Sequence, residues 1–197
     1  MAASILGLKL PTDPRWVNLV EISIEDILTN HAYCEMKAAQ TCMSLIQKYP
    51  TRVKLVDELS PIAAEEWGHF RLVLAELKKR GLALGRNSTD NYVTQLLNFE
   101  RKGDKIERQL MDKLLINAMI EARSCERFRL LSEELSDVAL RRFYRKFMIS
   151  EAGHYRTFLD LAKEYMPAKI VNQRWKELLL EEAAIMQQLQ LRGDRMH

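Results

Sequence analysis

Residues 65–79 read EEWGHFRLVLAELKK, and eighty-five residues further on, residues 150–164 read SEAGHYRTFLDLAKE. Aligning Glu66 with Glu151 places Gly68, His69, Arg71, Leu74 and Lys78 on Gly153, His154, Arg156, Leu159 and Lys163. A single Glu-x-x-His on a helix is most often a surface ion pair. The same pair written twice, in a chain with only four histidines, points to one helix used twice.

The repeat reaches back into the helix before each pair. Glu35 sits on a stripe of Leu28, Ala32, Ala39, Cys42 and Ile46, and Glu121 on a stripe of Leu114, Ala118, Cys125, Phe128 and Leu135. Recurrence at three and four residues puts each stripe on one helix face, so each glutamate stands where the core is expected. Glu35 precedes Glu66 by thirty-one residues and Glu121 precedes Glu151 by thirty. The unit is therefore a helix with Glu, a turn, and a helix with Glu-x-x-His, and the chain contains two of them.

Composition agrees with helices. The 197 residues are 47% hydrophobic with seven glycines and five prolines, too few for a sheet with many turns. The first long helix opens at Ser23, with Asp26 three residues on as a capping-box variant, and stops before Pro50. The second runs from about Val53 to Arg80, ahead of Gly81, and Pro61 either kinks it or marks its start. A loop and a short helix near Tyr92 to Phe99 connect the halves. Gly103 and a box of Asp104 and Glu107 start the third long helix, which reaches about Leu135; the fourth spans about Asp137 to Tyr165, before Pro167. The expected fold is all-α: a ferritin-like four-helix bundle built from helix-pair repeats at 23–80 and 104–165, with extra short N-terminal and C-terminal helices, the last at 168–191. One domain is expected over residues 1–197.

On an α-helix, positions i and i+3 lie about 60° apart, so Glu66 with His69, and Glu151 with His154, can each hold one ion. With Glu35 and Glu121 the donor set is four carboxylates and two imidazoles. Oxygen and nitrogen donors without thiolate suit iron, or less well manganese, and this pattern is that of di-iron carboxylate bundles. Four carboxylates aimed into a core would otherwise cost several kcal/mol or neutralise. His31 and Asn117, each four residues before its glutamate, are candidates to orient the ligands by hydrogen bonding, or else ordinary core polar residues. His197 has no expected role.

The remaining composition narrows the setting. Cys34, Cys42 and Cys125 are odd in number and lack C-x-x-C spacing, which argues against a disulfide framework or a thiolate zinc site. Residues 1–20 do not resemble a signal peptide and no run of eighteen apolar residues occurs, so a cytoplasmic protein with no membrane partner is expected. A formal charge of +3 permits a nucleic-acid partner without requiring one. Two basic clusters could meet phosphates: Arg141, Arg142, Arg145 and Lys146, and Arg101, Lys102 and Lys105.

The stretches NHAYCEMKAA (30–39), SPIAAEEWGHFRLVLAELKKRG (60–81), MIEARSCERFRLL (119–131) and SEAGHYRTFLDLA (150–162) resemble the MiaE family of tRNA hydroxylases. The similarity spans nearly the whole chain. It implies a non-haem di-iron monooxygenase acting on 2-methylthio-isopentenyl-adenosine next to the anticodon, using O2 and external electrons. The implied ligands of two iron ions are Glu35, Glu66, His69, Glu121, Glu151 and His154, the six already singled out by spacing, with no catalytic residue beyond them. It also implies tRNA as substrate, a nucleotide drawn from its loop, and a separate reductase, since no flavin or nicotinamide motif is visible. The residues alone leave open another ferritin-like oxidoreductase of peroxidase or catalase type, or a storage or structural bundle.

Overall fold

The computed structural model describes residues 6–197; the start of the segment read for a signal peptide, residues 1–5, lies outside the described residues. Among these there are seven α-helices and no strand: α1 (Arg15–Ile22), α2 (Ile24–Lys48), α3 (Val53–Lys79), α4 (Asn91–Leu97), α5 (Ile106–Glu134), α6 (Val138–Tyr165) and α7 (Ala168–Gln188). The chain resolves into two compact units, one of residues 18–88 with 192–196, the other of residues up to Val17 with 89–191 and His197.

In the first unit α2 packs against α3. Leu28, Ala32, Ala39 and Cys42 of the α2 stripe are buried, with Leu45 taking the place expected of Ile46, which is half-buried. Pro61 lies inside α3 and does not start it; the missing N–H at Pro61 removes one bond from a ladder long enough to continue on both sides. The helix ends in a Schellman motif, Leu82 N–H donating to Leu77 O and Gly81 N–H to Lys78 O, with Gly81 at φ +70°, where a side chain is disfavoured. The loop that follows is tied back to α2: Gly85 N–H donates to Thr29 Oγ1 and Tyr33 OH to Gly85 O. The chain's last residues return to this unit. Met196 N–H donates to Asn30 Oδ1 at 2.7 Å, and Gly193 lies so close to the Leu19 backbone that a Cβ would fall 2.3 Å from its carbonyl.

The capping box at Ser23 does not form. α1 ends at Ile22, so the Ser23 hydroxyl donates back to Leu19 O, at 3.1 Å, and does not cap α2. The box at Asp104 also fails, because α5 begins one residue later, at a Lys105 cap, and Asp104 accepts the Lys105 amide. Asp90 and Asp137 do cap, accepting from Val93 N–H and from Ala139 and Leu140 N–H respectively.

In the second unit α5 packs against α6 and α7, with α4 against α5 and α7. Having neighbours on several sides, α5 is buried around nearly its whole circumference, including Asp112, Arg123, Glu126 and Arg127. Arg123, fully buried, donates to Glu182 Oε1 from Nε and Nη2, to Glu126 Oε2 at 2.6 Å and to Leu10 O. Thr12 accepts from Arg123 and donates to Glu126 through both its amide and its hydroxyl. Burial and repulsion from Arg123 pull the Arg127 guanidinium down to about 10, and it stacks on Trp16 at 4.7 Å. His197 is buried here, bonded to Ser124 and Asp90 and stacked on Tyr92, so it has a structural place that its position at the chain end did not suggest.

Candidate metal centre

The first unit brings together three of the expected ligands. Glu35 on α2 and Glu66 and His69 on α3 are all buried, and their ligand atoms lie within 4.8 Å of one another. His69 Nδ1 is 3.2 Å from Glu66 Oε2 and 3.3 Å from Glu35 Oε2, so both carboxylates converge on one ring nitrogen. His31, one turn before Glu35 and fully buried, meets Glu35 Oε1 at 2.6 Å. One Glu35 carboxylate oxygen thus faces His31 and the other faces His69.

The second unit holds the matching triad. Glu121 on α5 and Glu151 and His154 on α6 are buried, again with ligand atoms within 4.8 Å of one another. Asn117, the counterpart of His31, donates its amide to Lys113 O at 2.7 Å, an intrahelical bond one turn back. Below the triad, burial and the charge of Glu121 push the Cys125 thiol up to about 11, which makes it an inert packing group. None of Cys34, Cys42 and Cys125 is in a disulfide, and Cys34 is half-buried.

Two residues not anticipated from the sequence stand behind the imidazoles. Glu65 Oε1 lies 3.7 Å from His69 Nε2, and Ser150 Oγ lies 3.5 Å from His154 Nε2. Both occupy the same place in the repeat, four residues before the histidine and one before the glutamate. The signal in the sequence is the i, i+4 spacing, which puts Glu65 over the ring of His69; because Glu65 and Ser150 differ, the run of identical residues in the repeat does not mark them.

Beside α3 an open hollow of about 600 Å³ is lined by Glu65, Gly68, His69, Arg71, Leu72 and Ala75. A Cβ built on Gly68 meets nothing within 4 Å, and the same holds for Gly153. Of the two basic clusters, Arg142, Arg145 and Lys146 are exposed on α6. Arg101 is spent on structure: it donates to both oxygens of the buried Asp112, which Arg174 also holds, leaving Lys102 and Lys105 exposed in that stretch.

The donors present fit a pair of first-row transition ions. Each triad supplies two carboxylates and one imidazole, buried and convergent, with no thiolate, which is the donor chemistry of iron and manganese. No described helix is long and apolar enough to cross a membrane.

Comparison with known proteins gives concordant results. Residues 2–197 match the model of the family described as tRNA-(ms2io6A)-hydroxylase (MiaE). A Pseudomonas putida protein named tRNA 2-(methylsulfanyl)-N(6)-isopentenyladenosine(37) hydroxylase is 41% identical over 155 residues, covering 79% of this chain and 74% of its own. A Salmonella typhimurium protein of the same name is 28% identical over 206 residues, covering 80% and 75%. Among solved structures, one titled protein 43 with aldehyde deformylating oxygenase activity, from Synechococcus, superposes with a TM-score of 0.91 at 34% identity, over 98% of this chain and 96% of that one. The fold class is the one expected, all-α and ferritin-like.

Proposed function

Because the chain belongs to the MiaE family of tRNA hydroxylases, we propose that it hydroxylates the isopentenyl group of 2-methylthio-isopentenyl-adenosine in tRNA, next to the anticodon. The reaction inserts one atom of O2 into a C–H bond and releases the other as water, consuming two electrons and two protons. No residue motif for a flavin or nicotinamide stands in the sequence, so a separate reductase is the proposed electron donor, and the proposed setting is the cytoplasm.

The observation that carries this reading is the pair of buried Glu, Glu-x-x-His triads within a chain matched by the family model over residues 2–197. Glu35, Glu66 and His69 are proposed to hold one iron ion, and Glu121, Glu151 and His154 the other. Two bound iron ions supply the two-electron activation of O2. The protein's part is to keep the ligands in place and water out. His31 fixes the rotamer of Glu35 through a 2.6 Å contact, and burial of the six residues limits the access of bulk solvent, with His69 at the edge of the open hollow.

The tRNA is proposed to be held through its phosphates by exposed cations such as Arg142, Arg145 and Lys146, with the modified nucleotide drawn out of the loop. The test is nucleoside mass spectrometry of isopentenylated tRNA incubated with iron-loaded protein, reductant and O2. A product one oxygen heavier, made by the wild type and not by Glu121→Ala, is expected. Unchanged tRNA overturns the substrate assignment.

A second reading is favoured by the structural relative, whose title gives it aldehyde deformylating oxygenase activity at 34% identity over 98% of this chain. It uses the same triads and differs in substrate. Offered an aldehyde in place of tRNA, the loaded protein would then yield a product one carbon shorter; absence of that product with tRNA turnover intact sets this reading aside.

A further inference from the structure

The two triads are built from the same three residues, yet the groups behind their imidazoles differ in charge. Behind His69 stands the Glu65 carboxylate, 3.7 Å from Nε2, while behind His154 stands the Ser150 hydroxyl, 3.5 Å from Nε2. His69 turns Nδ1 toward Glu35 and Glu66, so with a cation held at Nδ1 the proton of the neutral ring would sit on Nε2 and face outward. A carboxylate accepting that N–H orients the ring and makes the ligating nitrogen a stronger donor; a neutral hydroxyl does so more weakly. The Glu65 side chain is half-exposed and borders the open hollow beside α3, so it has room to close the remaining few tenths of an ångström to hydrogen-bonding distance.

Resting on the reading of the triads as a metal centre, we propose that Glu65 is a positioning residue for His69 and makes the two ion positions unequal. The position formed by Glu35, Glu66 and His69 binds a divalent cation more tightly than the one formed by Glu121, Glu151 and His154. His31 acts in the same direction, since it orients Glu35 at 2.6 Å whereas Asn117 bonds to Lys113 O. The sequence thus repeats the ligands and breaks the symmetry one shell further out.

The test is anaerobic titration of the metal-free protein with Co2+, followed by visible absorption and calorimetry, with far-UV circular dichroism to verify folding. Wild type is expected to bind in two resolved steps. Glu65→Gln keeps the size of the side chain and removes the charge; it should weaken the tighter step about 10- to 100-fold, shift its absorption bands and leave the weaker step alone. Ser150→Glu should tighten the weaker step toward the first. Coincident isotherms for wild type and Glu65→Gln, equal loss in both steps, or a single wild-type step of two equal ions each overturn the proposal. Retention of both steps in Glu66→Ala overturns instead the metal-centre reading beneath it, so the two failures are distinguishable.

Discussion

The helix pair α2 and α3 and the helix pair α5 and α6 present the same Glu, Glu-x-x-His triad on helices that are covered very differently. α2 keeps an exposed face, with Met43 52% accessible, while α5 is enclosed and carries Asp112, Arg123, Glu126 and Arg127 in the interior. Where solvent rather than a further helix meets its outer side, a helix needs one apolar face. Where α4 and α7 cover it as well, its outer face must also be dry, and the charges found there must be paired. The triad face is therefore kept in both units, while how dry the opposite face is follows its neighbours.

The strongest way to break the equivalence of the two triads is to remove one ligand from each. Glu66→Ala and Glu121→Ala should each abolish tRNA hydroxylation and lower bound iron, measured by nucleoside mass spectrometry and elemental analysis. A variant that keeps full turnover would remove its residue from the ligand set.

Next in size is a change on the face that does not repeat. Arg123→Ala leaves Glu126 and Glu182 buried without their common cation, and should cost about 3–5 kcal/mol of stability in urea denaturation. No such cost attaches to α2, which has no buried arginine. A loss below about 1 kcal/mol would mean that the network is compensated by rearrangement.

The contrast between His31 and Asn117 is the sharper comparison, because the two coincide in the repeat. His31→Ala should weaken divalent-cation binding about 10- to 100-fold, since Glu35 loses the group that orients it. Asn117→Ala, which deletes only a bond to Lys113 O, should leave both steps of the titration where they were. Equal effects would mean that the two positions do the same work despite their different chemistry.

What could be read from the sequence follows the same division. The six candidate ligands stand out because they recur on helical stripes, and Asp137 and Pro167 mark helix boundaries where backbone chemistry leaves few choices. The capping boxes at Ser23 and Asp104 do not form because a local motif competes with the preceding turn: Ser23 is captured by Leu19 O, and the cap of α5 falls one residue past Asp104, on Lys105. The bonds of Arg123 to Glu182 and Thr12 join residues 59 and 111 apart in sequence, and Arg101 is withdrawn from the basic surface by Asp112, eleven residues on and across the start of α5. No period announces such pairings. Glu65 and Ser150 were legible in principle, at i, i+4 from the histidines, to an alignment that compared positions and not identities.

The Asp112 cluster belongs to the α5 side alone and sets a pH signature. Burial raises the Asp112 carboxyl, but the bonds from Arg101 and Arg174 outweigh it and hold the group below the ordinary carboxylate range. A depressed carboxylate contributes stability above its unfolded value and loses it as pH falls through the folded one. Thermal melts of wild type and Asp112→Asn should therefore differ at pH 6 and converge as the pH drops below about 4.

The smallest effect concerns the two glycines that the repeat places beside its histidines. Both Gly68 and Gly153 lie inside helices, where glycine costs roughly 0.5–1 kcal/mol relative to alanine, and a Cβ at either meets nothing within 4 Å. Gly68→Ala and Gly153→Ala should each stabilise the protein by about that amount in denaturant melts. Activity then separates the two sites. Gly68 borders the hollow that reaches His69, so a methyl there intrudes on a substrate group seated beside that triad. A stabilised Gly68→Ala with a raised KM for tRNA, beside a stabilised Gly153→Ala with unchanged kinetics, assigns the approach of the substrate to the α3 face; identical kinetics in both variants remove the hollow from the substrate's path.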